Sequence, residues 1–128
     1  MPIFYQIDDA RQRMYTRCEG IINFQDLRRH MNAEESSPAA SYSEIFDCSD
    51  AEIDISDEEI HQLAAERELV AEHREAAPFA VVAINRQMFE KLHLYDMLTE
   101  QIRPMQVFHN IEAAERWLDE VARRWGNI

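Results

Sequence analysis

One glutamate and one histidine have the spacing of two ligands of a metal site. Glu58 and His61 stand three positions apart on a predicted helix, as in one half of a di-iron pair. A di-iron bundle needs two such pairs and two further glutamates, and the other four histidines are scattered along the chain. We therefore interpret Glu58 and His61 as parts of a solvated helix face, and we expect neither a metal nor another cofactor.

Paired carboxylates, which serve acid–base chemistry or cation binding, are concentrated in one segment. Seven acidic residues lie between positions 47 and 59, where a predicted strand leads into a helix and where open α/β sheets commonly bind ligands. The segment lacks the D-x-D-x-D-G spacing of a calcium loop. We interpret it as a repulsive acidic surface, with a divalent cation as the alternative.

Nucleophilic and phosphate-binding motifs are missing from the sequence. It has no G-x-S-x-G elbow, and its two glycines, Gly20 and Gly126, do not open a helix after a strand. Cys18 and Cys48 have no metal-type spacing and are interpreted as free, buried thiols. The short basic run at positions 28–30 is interpreted as ordinary helix surface. We expect that the protein is not an enzyme.

The composition describes one folded domain and excludes several classes of partner. The chain has 128 residues, 46% of them hydrophobic and 30% charged, and we treat 1–128 as a single domain. Its formal net charge of −12 opposes binding to nucleic acid or an anionic membrane. It contains no window of roughly 20 apolar residues and no signal-peptide pattern. We expect a cytoplasmic protein that is not membrane-embedded and binds no nucleic acid.

Hydrophobic periodicity divides the chain into nine elements. It predicts strands at 3–8, 14–18, 42–48, 79–84 and 105–108, and helices at 24–31, 57–75, 86–102 and 111–125. The longest loop, and the most mobile segment, is expected at 32–41. The run at 79–84 has no polar face, which predicts a strand buried on both sides at the centre of a parallel sheet.

The strongest local signal is a capping box at the start of the second helix. Ser56 can accept a hydrogen bond from the Glu59 amide while the Glu59 side chain reaches back to Ser56, and the acidic first turn suits the positive helix end. The element order is β-β-α-β-α-β-α-β-α. It predicts an α/β fold with a five-stranded, mostly parallel mixed sheet flanked by helices and an N-terminal hairpin at one side.

Three segments of the chain resemble STAS domains, the fold of the anti-sigma-factor antagonists. Residues 47–56 resemble the segment in which a strand leads to a serine at a helix start, and 80–83 fit the central strand. Residues 105–118 are similar to the V-F-x-x-x-x-x-A-x-x-W-L ending of small bacterial STAS-like proteins. The resemblance implies a five-stranded sheet flanked by helices, a cytoplasmic location, and protein interaction or small-ligand sensing in place of catalysis.

The resemblance also implies a switch at the helix start. In the antagonists a serine there is phosphorylated by a partner kinase, and the phosphate blocks partner binding. Ser56 matches the first serine of that motif, whereas Asp57 occupies the position of the second, usually modified one. A permanent carboxylate at Asp57 would imitate the phosphorylated state. We take Ser56, Asp57, Glu58 and Ser49 as the candidate switch or partner surface.

Two functional hypotheses follow. The first is a non-enzymatic STAS-like regulatory or protein-interaction module. The alternative is a carrier or sensor of a small apolar ligand such as a lipid, because Phe89, Leu94 and Met97 lie off the main apolar stripe of the third helix. An isologous homodimer through the hairpin edge or the last helix is compatible with both hypotheses.

Overall fold

A computed structural model of the chain describes residues 3–35, 37, 41–71, 77–99 and 104–125. The elements occur in the predicted order, with the following bounds: β1 Ile3–Asp8, β2 Arg13–Asn23, α1 Phe24–Glu35, β3 Ser43–Asp54, α2 Asp57–Ala71, β4 Phe79–Val82, α3 Arg86–Thr99, β5 Met105–Phe108 and α4 Ile111–Trp125. α1 continues to Glu35, so the first four residues of the loop predicted at 32–41 are helical. Residues 36 and 38–40 of that loop, and the predicted ends of the second and third helices, lie outside the described residues.

The five strands form one sheet in the order β1-β2-β3-β4-β5. β1 and β2 pair antiparallel as a hairpin, and the pairs β2/β3, β3/β4 and β4/β5 are parallel. The predicted mixed sheet with an N-terminal hairpin at one side is therefore confirmed. Each strand pairs with the strand that precedes it in the chain, so the sheet grows in one direction.

Two strands extend further than the sequence pattern predicts. β2 continues through Gly20, whose φ of 75° lies in the region that favours glycine. Beyond a register shift between Arg17 and Glu19, β2 pairs with the second half of β3 as far as Asp54. The strand predicted at 42–48 therefore ends six residues too early, because Ala51 is buried between exposed acidic neighbours and 49–54 complete a parallel ladder.

The sheet separates two layers of helix. α1, α2 and α3 cover the face that carries the alternate residues Thr16, Glu44, Phe46 and Phe79, whereas α4 packs on the opposite face against Ile45, Ala80 and Val82. The one-face position of α1 to α3 follows from the strand order. Each of these helices connects two adjacent parallel strands, and each next strand is added at the same edge of the sheet. Because such connections have the same handedness, their helices lie on the same face of the sheet.

β4 is buried on both faces, as predicted, but it does not occupy the central position. Ala80, Val81 and Val82 are at most 1% exposed because helices cover both sides of the strand. β4 lies between β3 and β5, so the middle strand of the sheet is β3. β4 ends at Val82, and Ile84, predicted within this strand, is 53% exposed.

An ion pair joins the N-terminal hairpin to the last helix. Arg13, on β2, is buried and places Nη2 2.9 Å from Oδ1 of Asp119 on α4, whose side chain is mostly exposed. Among the described residues, Nε and Nη1 of Arg13 have no hydrogen-bond partner. The Asp119 carboxylate thus compensates the charge of the buried guanidinium through Nη2 alone.

The two cysteines meet where β2 and β3 change register. Cys18 and Cys48 are fully buried and free, as the sequence indicated. A hydrogen bond between the two thiols and burial both raise the pKa of Cys18, because they disfavour its thiolate. None of the helices in the described ranges combines the length and the apolar character that crossing a bilayer requires.

The raised pKa and the burial of Cys18 predict that its thiol is unreactive in the folded protein. An unfolded thiol ionises above about pH 8.5, whereas the folded thiol stays protonated. The free energy of unfolding should therefore fall as the pH rises past that value. At about pH 9, a disulfide reagent should modify the native protein only at its rate of unfolding and the denatured chain at once. Fast labelling of the native protein would contradict the prediction.

Candidate functional site

A cavity lies between the sheet and the three helices on its first face. Its volume is about 80 Å³. The walls are predominantly apolar, and the lining residues come from α1 (Leu27, His30, Met31), β3 (Glu44, Phe46), α2 (Ile60, Leu63, Arg67), β4 (Phe79), α3 (Leu92, Tyr95) and β5 (Met105). The few polar side chains among these apolar walls could fix the orientation of a ligand.

Three buried polar groups form a hydrogen-bonded trio beside the cavity. The Thr16 hydroxyl donates to Oε2 of Glu44 over 2.7 Å, and Nε2 of His30 lies 2.9 Å from the same oxygen. Glu44 and Thr16 point to the same face because they lie diagonally across adjacent strands, where Thr16 pairs with Phe46. With Glu44 as a carboxylate, Nε2 of His30 carries the hydrogen, because a carboxylate only accepts.

His30 is held in place by the rings around it. Its imidazole centroid lies 6.0 Å from that of Tyr5 on β1 and 5.6 Å from that of Phe46 on β3. The interpretation of 28–30 as helix surface was correct for Arg28 and Arg29, whose side chains are 42% and 59% exposed, and wrong for His30. At 100° per residue, His30 shares the inward side of α1 with Leu27.

Arg67 brings a buried cation to the cavity. It is 4% exposed and follows Ile60, Leu63 and Ala64 at the spacing of one helix face. Among the described residues, the buried side-chain nitrogens without a hydrogen-bond partner belong to Arg13 and not to Arg67. A long arginine side chain can line an apolar wall with its methylene groups while its guanidinium reaches a more polar environment.

The Ser56 helix start has the predicted capping geometry. The Glu59 amide donates to Oγ of Ser56 over 3.1 Å, and the Ser56 amide donates to Oε1 of Glu59 over 3.0 Å. Nζ of Lys91 on α3 donates to Oδ1 of Asp57 over 2.7 Å and, together with its charge, holds the pKa of that carboxyl below its usual range. Asp57 thus joins the start of α2 to α3.

The other residues of the predicted switch surface are distributed differently. Glu58 is exposed on the first turn of α2, whereas Ser49 lies within β3, where its hydroxyl donates to Oδ1 of Asp47 over 2.6 Å. Ser56, Asp57 and Glu58 therefore share a helix start, and Ser49 belongs to a strand seven positions earlier. Within the described ranges, no three His, Cys, Asp or Glu side chains are grouped as a metal ion would require.

The carboxyl edge of the parallel strands carries apolar side chains among acids. Ile21 is 63% exposed and lines a shallow depression with Glu52, Ile53 and Asp54. Ile84, also exposed, follows β4 at the same edge. Ligand crevices at this edge of open sheets open where the strand order reverses. Here the order never reverses, and the apolar cavity lies over the face of the sheet instead.

Comparison with known proteins identifies the fold. No family model and no curated protein matches the sequence. Among solved structures, an uncharacterized protein of the DUF3478 family from Shewanella loihica PV-4, which has a SpoIIAA-like fold, superposes with a TM-score of 0.58. The alignment covers 91% of this chain and 93% of that one at 15% sequence identity. The chain has a SpoIIAA-like fold. The STAS-like architecture that the sequence indicated is therefore confirmed.

Within this SpoIIAA-like fold, sequence reasoning missed two of the polar residues of the cavity. Glu44 escaped notice because both faces of β3 are buried, so the alternation that marks an inward residue is absent. Arg67 left a readable signal, since it stands seven positions after Ile60 within the apolar stripe of α2. A charged residue at such a position indicates either a buried partner or a site.

The trio predicts a specific pattern of stability. His30→Phe removes a donor and leaves the Glu44 carboxylate buried with less compensation, so the free energy of unfolding should fall by about 2–4 kcal/mol. Adding Glu44→Leu removes that carboxylate, so the double variant should recover much of the loss. Urea unfolding of the wild type, both single variants and the double variant measures this. A double variant no more stable than His30→Phe would contradict the prediction.

Proposed function

We propose that the chain is a non-enzymatic SpoIIAA-like module that binds a small, mainly apolar ligand in the cavity beneath α1, α2 and α3. The observation that carries the proposal is an apolar cavity with buried polar groups in its wall, among them His30, Glu44 and Arg67. A largely apolar pocket with a few convergent polar groups is the usual form of a small-molecule site. The sequence-based alternative of a carrier or sensor thus becomes the leading hypothesis.

The apolar lining of the cavity supports this proposal, because removing apolar ligand surface from water is the dominant favourable contribution to such binding. The ligand-facing residues are also different from those first suggested. Leu92 lines the cavity, whereas Phe89, Leu94 and Met97, from the same helix, are absent from its wall.

Nuclear magnetic resonance tests this function directly. We expect butyrate or butyramide, two four-carbon molecules of equal size, to cause saturable shifts of backbone amides around the cavity. Leu92→Trp, which places an indole in the cavity wall, should abolish these shifts. Leu98→Trp, on the same helix but outside the cavity, is the matched control and should leave them unchanged. Absence of saturable shifts with both molecules, or their survival in Leu92→Trp, would contradict the function.

A second candidate function is docking of a basic protein partner at the carboxyl edge of the sheet, near the Ser56 helix start. It is favoured by the exposure of Ile21 beside Glu52 and Asp54, and by the exposed Ile84 that follows β4 at the same edge. Apolar side chains within a charged surround are typical of an interaction patch, and the net charge of −12 suits a basic partner. This candidate retains the regulatory role that the fold resemblance implied.

Quantitative affinity capture tests the second candidate. The double variant Ile21→Ser with Glu58→Lys preserves the Asp57–Lys91 ion pair but changes the apolar and charged character of the edge. We expect the amount of any partner captured by this double variant to be at least tenfold lower than the amount captured by the wild type. The control, Glu112→Lys with Glu115→Lys on α4, changes more charge at a different surface and should retain the partner. Equal capture by both variants would exclude docking at this edge.

A further inference from the structure

The edge strand β1 lacks the features that normally keep a sheet edge from pairing with another strand. β1 pairs with β2 in an unbroken register from Ile3 to Asp8, and no strand of the described chain pairs with its other side. Natural sheet edges are protected by charged side chains, proline, bulges or a covering element. Residues 3–7 contain neither charge nor proline, and the register with β2 contains no bulge. The backbone amides and carbonyls on the outer side of β1 are therefore available to a further strand.

The side chains of β1 add exposed apolar surface to this edge. Phe4, Tyr5 and Ile7 are 50%, 46% and 39% exposed. α1 lies over β2, and α4 lies over β3, β4 and β5, so neither helix covers these side chains fully. Exposed apolar residues along an unpaired edge are typical of a surface that pairs with another chain.

Two other surfaces are less suited to self-association. The opposite edge strand, β5, has four residues against six in β1, and both α3 and α4 contact it. The last helix is the other surface that the sequence left open for a homodimer. Its exposed positions carry charged residues, among them Glu112, Arg116 and Glu120. The hairpin edge is therefore the better surface for a second copy.

The distribution of charge favours a second copy of the chain as the occupant of this edge. Two copies that each carry a net charge of −12 repel each other unless they meet at an uncharged surface, and residues 3–7 provide one. Asp8, the next residue, is engaged within its own turn. Its Oδ1 accepts a hydrogen bond from the Arg11 amide over 3.1 Å, and its Oδ2 lies 3.9 Å from Nε of Arg11. A second copy supplies the same uncharged strand, with backbone groups that complement the first.

We infer that two copies of the chain pair β1 with β1 in antiparallel orientation, about a two-fold axis at Tyr5, and so join their sheets into one. Paired residues of antiparallel strands point to the same face, so the axis passes through a residue of β1. An axis at Tyr5 places Ile3 opposite Ile7 of the second copy and pairs the uncharged residues 3–7 of both chains. An axis at Gln6 would place Asp8 beside an apolar side chain, and an axis closer to Ile3 would pair fewer described residues. Such an isologous interface is closed, so association ends at the dimer.

Sedimentation equilibrium from about 1 μM to about 1 mM protein measures the association. The mass of the wild type should rise with concentration toward that of two chains. Tyr5→Lys places two ammonium groups opposite each other at the axis, which should raise the dissociation constant of the dimer at least about tenfold. Met97→Lys, which introduces the same charge at an exposed apolar residue of α3, is the matched control and should associate as the wild type does.

Disulfide formation between introduced cysteines measures the position of the axis. Tyr5→Cys brings two thiols to directly opposite positions, where Cα atoms are about 4.5–5.5 Å apart and a disulfide can form. In Gln6→Cys the two thiols belong to diagonal neighbours about 7–8 Å apart, which is too far for an unstrained disulfide. With oxidised glutathione, Tyr5→Cys should form a covalent dimer at least about tenfold faster than Gln6→Cys. The native Cys18 and Cys48 are buried in both variants.

Several outcomes would overturn the inferred dimer. A wild type that stays monomeric over the whole concentration range would overturn it and leave the edge to a strand of another protein. Association that Tyr5→Lys does not weaken would exclude β1 as the interface, and masses well above two chains would exclude a closed dimer. Faster crosslinking of Gln6→Cys than of Tyr5→Cys would overturn the axis at Tyr5. Circular dichroism reports whether Tyr5→Lys is folded, and if it is not, the ratio of the two crosslinking rates decides.

Discussion

The handedness of the crossover connections determines where the apolar cavity of this molecule lies. Every parallel strand is added on the same side of the preceding one, and connections of one hand then bring α1, α2 and α3 to one face. Three helices on a five-stranded sheet leave a cavity where their apolar sides meet the sheet, between Leu27, Leu63 and Leu92. α4 follows the last strand and is no crossover, so it is free to cover the opposite face.

A buried arginine lies on each side of the sheet, and the two have different surroundings. Arg13 reaches from β2 to Asp119 at the rim of α4, where solvent still touches the carboxylate. Arg67, on α2, lines an apolar cavity in which the Glu44 carboxylate faces Thr16 and His30. Arg13 joins two elements of the fold and keeps Nε and Nη1 buried without a hydrogen-bond partner among the described residues, whereas no Arg67 nitrogen is in that state.

Most of the fold could be predicted from the sequence, whereas little of the cavity could. Ser56 and Glu59 lie three residues apart, so the local sequence is enough to predict the capping box. The uninterrupted apolar run of β4 is likewise enough to predict a buried strand. The extension of β2 and β3 depends on their mutual pairing, which no local pattern reports. The trio of Thr16, His30 and Glu44 brings together three elements, and its members are ordinary strand or helix residues when read one at a time.

The cavity residue Arg67 is an instructive intermediate case. Its place in the apolar stripe was visible in the sequence, but a long side chain at such a place can extend to solvent past its apolar neighbours. Its burial in the cavity wall distinguishes Arg67 from a surface arginine. That burial depends on how α2 packs on the sheet and on α3, which is tertiary information.

The strand order also shapes the course of folding. Arg13 pairs with Ser43, Glu44 with Phe79, and Phe79 with Met105, so each parallel pairing closes a loop of about 25 to 35 residues. Loop-closure entropy rises only with the logarithm of loop length, which makes these steps similar in cost. The contact of Arg13 with Asp119 spans 106 positions and requires both ends of the chain in place. The guanidinium of Arg13 can therefore leave water for its ionic partner only after α4 has docked, which makes this ion pair a late event in folding.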